Sequence, residues 1–220
     1  ENGSLYVLRP WVLFDHTNRL GGKIAVHEMD YWSSFQIDSP EDLELCDWIL
    51  RRRMAQQRLA LLPPKISAVV FDFDGVFTDN RVLVAEDGVE SVLCNRSDGL
   101  GLDRLRAAGV PALVLSTEES PVVAARCRKV RVECRQGLAD KAEALAQYAR
   151  ERGIPLAEVI YVGNDLNDRE CLASVGCGVV VADAHPSVRD LARIRLENNG
   201  GTGAVREMCD LVLAKIGGAA

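Results

Sequence analysis

Two carboxylates, Asp72 and Asp74, close an apolar run that starts at Ile66 and reads Ile-Ser-Ala-Val-Val-Phe-Asp-Phe-Asp-Gly. At the end of a hydrophobic strand such a pair repel one another and lose hydration. A divalent cation relieves both effects, and Mg²⁺ in particular takes one or two carboxylates together with water and phosphate oxygens. Alone, Asp-x-Asp describes a strand ending in a solvated acidic turn equally well. The full run Asp72-x-Asp74-Gly75-Val76-x-Thr78-Asp79 is a far more specific signal.

Further along lie other residues with chemistry to offer. Ser116 and Thr117 follow Leu113-Val114-Leu115, Lys141 follows Asp140, and Tyr161-Val162-Gly163 leads into Asn164-Asp165-Leu166-Asn167-Asp168. Each has a plain structural reading. Ser116 can cap the next helix, Lys141 can be a solvated helix lysine, and Asp165 and Asp168 can cap a helix that begins near Asn167. His185 before Pro186 suits a turn, and Gly200–Gly203 suits a flexible entry to the last helix.

The elements that position these residues follow from periodicity. Short apolar runs at Ile66–Phe71, Val110–Leu115, Val159–Val162 and Gly178–Val181 alternate with helical spacing over Gly99–Ala108, Glu119–Lys129, Leu138–Arg152 and Asn167–Val175. Strands apolar throughout are buried on both faces. Their alternation with helices predicts an α/β fold, a Rossmann-like parallel sheet wrapped by helices. Reactive groups in such sheets gather at the carboxyl ends of the strands. One segment departs from the alternation. Arg81–Glu86 and Val89–Leu93 flank Asp87-Gly88, which predicts a projecting β-hairpin able to cover a site or pair with another subunit.

Leu62-Pro63-Pro64-Lys65 marks a boundary, since paired prolines cannot continue a helix. Ahead of it Ser39-Pro40-Glu41-Asp42 opens a helix with Ser39 as N-cap, and Ser4–Leu8 has strand character. This predicts an N-terminal appendage over 1–62, a linker at 63–65 and a domain over 66–220. The chain opens on Glu1, as the inside of a longer gene product would.

Composition narrows the function. With 26 Lys plus Arg against 32 Asp plus Glu, the net charge of −6 and the absence of a long basic run argue against nucleic acid and anionic membranes. No apolar run is long enough to cross a bilayer. The seven cysteines include no C-x-x-C pair and read as reduced thiols, which suits the cytoplasm.

The Asp72–Asp79 run resembles the first motif of the haloacid dehalogenase superfamily of phosphatases, and the segments at Leu113–Thr117, Asp140-Lys141 and Tyr161–Asp168 resemble its second, third and fourth motifs in order. The finer likeness is to the capless branch that acts on phosphorylated KDO and sialic acids, carried by Asn95–Gly101, Val181–Pro186 and Gly200–Glu207. That resemblance implies a haloacid dehalogenase fold over residues 66–216 and a set of roles. Asp72 would be the nucleophile and Asp74 the general acid and base. Ser116, Thr117 and Lys141 would hold phosphate. Mg²⁺ would be bound by Asp72, Asp74, Asn164 and Asp165. Asn95, Asp98 and Arg126 would meet a phosphorylated acid sugar, and the 81–93 hairpin would assemble a homotetramer.

Residues 1–62 resemble the last part of acylneuraminate cytidylyltransferase, through Asn2–Val7 and Gln36–Leu43. The chain then reads as the tail of the transferase followed by a whole phosphatase-like domain. Asp38 matches a metal carboxylate of that family, and Gln36 stands where a second is common. In the phosphatase-like part the branch's usual Asp is Asn164, which weakens Mg²⁺ binding, and Ser97, Glu118 and Thr202 stand where KDO phosphate phosphatase carries Arg. Two expectations follow. One is a Mg²⁺-dependent phosphatase of a sialic-acid-type sugar phosphate. The other is a catalytically weak tetramerisation module of a CMP-sialic acid synthetase.

Overall fold

The computed structural model describes residues 5–218. The chain divides into two compact units, one ending at Gln56 and the other starting at Gln57.

Within the first unit a short helix, α1 (Pro10–His16), carries the buried Val12. Residues 5–9 form no strand, and Ser4 of the expected one lies outside the described residues. Helix α2 (Pro40–Leu61) starts as its sequence dictates. The Ser39 hydroxyl accepts from the Asp42 N–H (3.2 Å) and the Asp42 carboxylate accepts from the Ser39 N–H (2.9 Å), a reciprocal cap. The units divide inside α2, ahead of the two prolines, because its last turns are held by the second unit. Leu59 and Leu62 join that unit's core, and Arg58 pairs with Glu197 (2.8 Å) and Glu207 (2.6 Å).

The second unit is a six-stranded sheet. Its members are β1 (Ala68–Asp72), β4 (Ala112–Leu115), β5 (Glu133–Arg135), β6 (Val159–Gly163), β7 (Cys177–Val180) and β8 (Ile194–Arg195), in the order β5-β4-β1-β6-β7-β8. Every pairing is parallel. β1 and β6 are buried along their full lengths, as strands covered on both faces must be. The four apolar runs became β1, β4, β6 and β7. The edge strands β5 and β8 are added to that expectation; they are only three and two residues long and carry Glu133, Arg135 and Arg195.

The helices between the strands are α3 (Arg96–Ala107), α4 (Pro121–Val130), α5 (Lys141–Arg152), α6 (Arg169–Ser174), α7 (Pro186–Arg189) and α8 (Ala204–Gly217). The hairpin is short. β2 (Leu83–Val84) pairs antiparallel with β3 (Glu90–Ser91), and the Gly88 N–H donates to Ala85 O (2.9 Å) with Gly88 at φ +81°. Glycine is needed there because side chains disfavour a positive φ. Among the described residues no helix is long and apolar enough to cross a membrane.

Register sets the site. Asp72 of β1 lies beside Leu115 of β4, and Phe71 beside Val162 of β6. The residues just past β1, β4 and β6 therefore emerge together at one edge of the sheet.

Candidate active site

At that edge a cavity of ≈270 Å³ is lined by Asp72, Asp74, Thr117, Asn164 and Asp165, with Asn80, Leu166 and Asn167. Five expected site residues thus share one cavity. Lys141 is buried against Asp72, and Ser116 is buried at the end of β4.

Asp72 is the last residue of β1 and is only 2% exposed. Its Oδ1 accepts from the Phe73 N–H (2.7 Å) and meets the Lys141 ammonium at 2.7 Å. Lys141 is the first residue of α5, started by Asp140, whose carboxylate accepts from the Glu143 N–H (2.9 Å). Its ammonium also donates to Asp168 at 2.9 Å. The plain reading of a solvated lysine is therefore wrong, since Lys141 is 3% exposed between two carboxylates.

Asp168 is a hub that the sequence reading left out of the site. Its Oδ1 accepts from Lys141 and from the Tyr161 hydroxyl (2.7 Å), and its Oδ2 accepts from the N–H groups of Asn164 (2.7 Å) and Asp165 (3.2 Å). The sequence signal lay in the motif itself, where Asp168 comes four residues after Asn164, but it reads there as a helix cap. Both readings hold, because Asp165 and Asp168 form a reciprocal cap on the 3₁₀ turn Leu166–Asp168. Asp165 Oδ1 accepts from the Leu166 N–H (2.7 Å), so its carboxylate is engaged in that turn.

The electrostatics follow from burial. Desolvation pushes the Asp72 carboxyl well up, the charge of Asp168 adds to this, and Lys141 opposes it. Burial pulls the Lys141 ammonium down, but Asp72 and Asp168 outweigh it and hold its pKa above the ordinary lysine value. Asp74 is half-buried, and its carboxyl is raised by desolvation and by the neighbouring charges of Glu118 and Glu90. One lysine therefore faces several carboxylates.

The Asn164 amide stands against the Asp74 main-chain carbonyl (2.9 Å) and Asp72 Oδ2 (3.1 Å) and donates to both when its nitrogen faces them; with its oxygen turned there instead, three oxygens would converge beside Asp72. Adjacent oxygen ligands of an octahedral Mg²⁺ at 2.0–2.1 Å are separated by about 2.9–3.0 Å. The donor set of Asp72, the Asp74 carbonyl and Asn164 therefore fits that ion, and an excess of negative charge would welcome it. Among the described residues no three His, Cys, Asp or Glu side chains form a metal cluster, so an amide and a main-chain oxygen are needed to complete the set.

The loop after β1 is firmly held. Thr78 Oγ1 accepts from the N–H groups of Gly75 and Asn80, both at 3.2 Å, and Phe73 O accepts from the Phe77 N–H at 2.9 Å. Gly200 and Gly201 pack on this loop. A Cβ on Gly200 would run into Gly75 O, and the Gly201 N–H donates to Val76 O (3.1 Å). The stretch read as a flexible helix entry is thus a close-packed brace. Ser116 Oγ accepts from the Glu118 N–H (3.0 Å), turning the chain after β4 toward α4. His185 caps α7, its Nδ1 accepting from the Ser187 N–H (3.3 Å).

The three expected substrate contacts take part in other contacts of this unit. Asn95 caps α3 by accepting from the Ser97 N–H (2.9 Å), Arg126 donates to Asn95 O (2.6 Å), and the buried Asp98 accepts from the Arg206 N–H of α8 (3.1 Å). None of them lines the 270 Å³ cavity. They brace α3 against α4 and α8.

Comparison with known proteins places this geometry in context. The profile of haloacid dehalogenase-like hydrolases matches residues 124–208. The 3-deoxy-D-manno-octulosonate 8-phosphate phosphatase KdsC of Salmonella typhi is 33% identical over 149 residues, covering 67% of this chain and 79% of that protein. Among solved structures, a HAD family hydrolase from Streptomyces avermitilis is 49% identical with a TM-score of 0.67, covering 69% of this chain and 87% of that one. The 3-deoxy-D-manno-octulosonate 8-phosphate phosphatase of Moraxella catarrhalis, solved with a magnesium ion, a phosphate ion and KDO, is 28% identical with a TM-score of 0.68, covering 74% and 91%.

Proposed function

The chain belongs to the haloacid dehalogenase-like hydrolases and is a phosphoric monoester hydrolase, and from that premise we propose that it cleaves a phosphorylated nonulosonic, sialic-acid-type sugar through an aspartyl-phosphate on Asp72. The observation that carries this reading is the pairing of a buried, lysine-held Asp72 with a half-buried Asp74 two residues on.

In this mechanism the Asp72 carboxylate attacks phosphorus, and the bond to the sugar oxygen breaks. Asp74, its carboxyl raised by burial and by the charge of Glu118, gives its proton to the departing oxygen. Asp74 then takes a proton from water, whose oxygen attacks the phosphoryl group and restores Asp72. Lys141 holds the nucleophile in place and offsets charge on Asp72 and phosphate. Ser116 and the Thr117 N–H, at the strand-to-helix junction, receive phosphate oxygens. Asp72, the Asp74 carbonyl and Asn164 would hold Mg²⁺, with Asp165 close by. A bound Mg²⁺ shields the anionic nucleophile from the anionic substrate.

Specificity is argued from the relatives and the departures. The matched phosphatases act on an acid-sugar phosphate, and this chain has Ser97, Glu118 and Thr202 where arginines stand in that branch. The Ser97 and Thr202 hydroxyls donate locally, to Asn95 Oδ1 and Asn199 O, and Glu118 adds negative charge near Asp74. A substrate other than KDO 8-phosphate fits that change. We further infer that residues 1–62 are the end of an acylneuraminate cytidylyltransferase domain. Exposed Val7, Phe14, Val26 and Trp48 in that unit suit a segment built to pack on more of such a domain.

The test is phosphate release with Mg²⁺ from a panel of phosphosugars, alongside Asp72→Asn. Turnover of a nonulosonic acid phosphate, reduced more than about a thousandfold by Asp72→Asn, is expected. Preference for KDO 8-phosphate would sink the specificity. A second reading, the weak tetramerisation module, is favoured by the uncharged Asn164 and by the apolar hairpin. No turnover on any phosphosugar with an intact tetramer would select it.

A further inference from the structure

Strand β6 is apolar from Val159 to Gly163 except at Tyr161, which is fully buried and paired with Val70 of β1. Phenylalanine would fill that place with no hydroxyl to satisfy, and a buried hydroxyl is costly unless it is hydrogen-bonded. The Tyr161 hydroxyl donates to Asp168 Oδ1 at 2.7 Å. Burial and the charges of Asp168 and Asp72 hold its pKa well above the ordinary tyrosine value, so it keeps its proton and faces Asp168 as a donor.

The same Asp168 oxygen takes the Lys141 ammonium at 2.9 Å, and that ammonium meets Asp72 Oδ1 at 2.7 Å. Two buried carboxylates therefore compete for one cation. The main-chain N–H groups of Asn164 and Asp165 serve the other oxygen of Asp168, Oδ2. Among the described residues the hydroxyl is thus the one neutral donor on the oxygen that Lys141 touches. A donor on a carboxylate oxygen neutralises part of its charge and weakens its pull on a neighbouring cation. The ammonium is left closer to Asp72 than to Asp168, as the two distances show.

We propose that Tyr161 is a positioning residue for the nucleophile: its hydroxyl satisfies Asp168 Oδ1 and so keeps Lys141 on Asp72. Without the hydroxyl the ammonium moves toward Asp168, and the Asp72 carboxylate loses the contact that fixes its line of attack, which costs rate. Substrate binding is spared, because Tyr161 does not line the catalytic cavity. The role rests on Asp72 being the nucleophile, as proposed above.

The test is steady-state turnover of p-nitrophenyl phosphate with Mg²⁺ by the wild-type chain, by Tyr161→Phe and by Val179→Ala. Val179 is buried in β7 beside Val162 of β6, so its truncation loosens the same sheet without removing a polar group. Tyr161→Phe should lower kcat about tenfold or more with KM within about twofold, and Val179→Ala should keep kcat within about twofold. Wild-type kcat in Tyr161→Phe overturns the proposal, as does an equal loss in Val179→Ala, which would make the hydroxyl merely structural. Asp72→Asn run alongside separates the two claims. Full turnover there fails the nucleophile, whereas its loss beside a fully active Tyr161→Phe fails only the role of Tyr161. Should Tyr161→Phe not fold, ¹⁹F NMR of the wild-type chain carrying 3-fluorotyrosine gives the second measurement. The chain has four tyrosines, so Phe replacements of Tyr6, Tyr31 and Tyr148 assign the Tyr161 signal by elimination. Beryllofluoride with Mg²⁺, a mimic of a phosphoryl group on Asp72, should shift that signal by more than its linewidth, and an unmoved signal overturns the link.

Discussion

Asp98 is a carboxyl with little to support its charge. It is fully buried, its Oδ1 accepts from the Arg206 N–H, and its Oδ2 has no partner. Desolvation raises its pKa to about 6, against the pull of the Arg206 N–H and the Arg126 charge. A carboxyl raised in the folded state contributes stability that is whole below the unfolded pKa near 4 and is lost as pH rises through the folded value. The loss here is about 3 kcal/mol. Urea unfolding of wild type and Asp98→Asn at pH 4 and pH 8 should show the variant gaining on the wild type by about that amount at the higher pH, since Asn keeps the acceptor and cannot ionise. A difference that does not change with pH would refute the buried charge. Glu118 offers a test on activity. Its charge helps raise the Asp74 carboxyl, so Glu118→Gln should move the alkaline limb of the kcat/KM profile to lower pH by a few tenths of a unit or more; an unmoved limb would show that Glu118 does not reach Asp74.

At the scale of elements, two glycines two positions apart share α3. An added Cβ at Gly101 would stand 2.9 Å from Arg206 Cδ, 3.1 Å from Cys209 Cβ and 3.2 Å from the Arg206 backbone, whereas at Gly99 it has room. Gly101→Ala should therefore push α3 from α8 and cost about 1–3 kcal/mol. Gly99→Ala should raise stability by up to about 1 kcal/mol through helix propensity. Thermal unfolding of the two variants distinguishes them, and the same sign for both would contradict this account of α3. The elements also show how far the sequence could be read. The central strands were legible because burial on both faces writes continuous apolar runs such as Ala68–Phe71 and Val159–Val162. Strands β5 and β8 were not, because edge strands of three and two residues can carry Glu133, Arg135 and Arg195 and leave no periodicity. Asp72, Asp74, Lys141 and Asn164 could be named from motifs. The central role of Asp168 and the Tyr161 hydroxyl could not, because it exists only once β6 is laid beside β1 and Lys141 reaches in between. The placing of Asn95, Asp98 and Arg126 likewise depends on how α3, α4 and α8 meet.

At the scale of the whole molecule, the hairpin is the feature that asks for company. Leu83 is 73% exposed and Leu93 81%, with Val82, Val84 and Val89 exposed beside them. A run of apolar side chains left in water marks an interaction surface. We propose that it joins copies of this chain into the expected tetramer. Leu83→Glu with Val89→Glu should shift the assembly to smaller species in light-scattering chromatography, and a wild-type monomer at micromolar concentration would refute the interface.

The ammonium wedged between Asp72 and Asp168 also constrains how such a chain can drift over generations. Removing Lys141 first would strand two like charges without a counterion, a far worse injury than removing either acid and leaving one ion pair behind. A descendant released from turnover should therefore shed an aspartate before its lysine, so the order of decay in a lineage is written into this triplet.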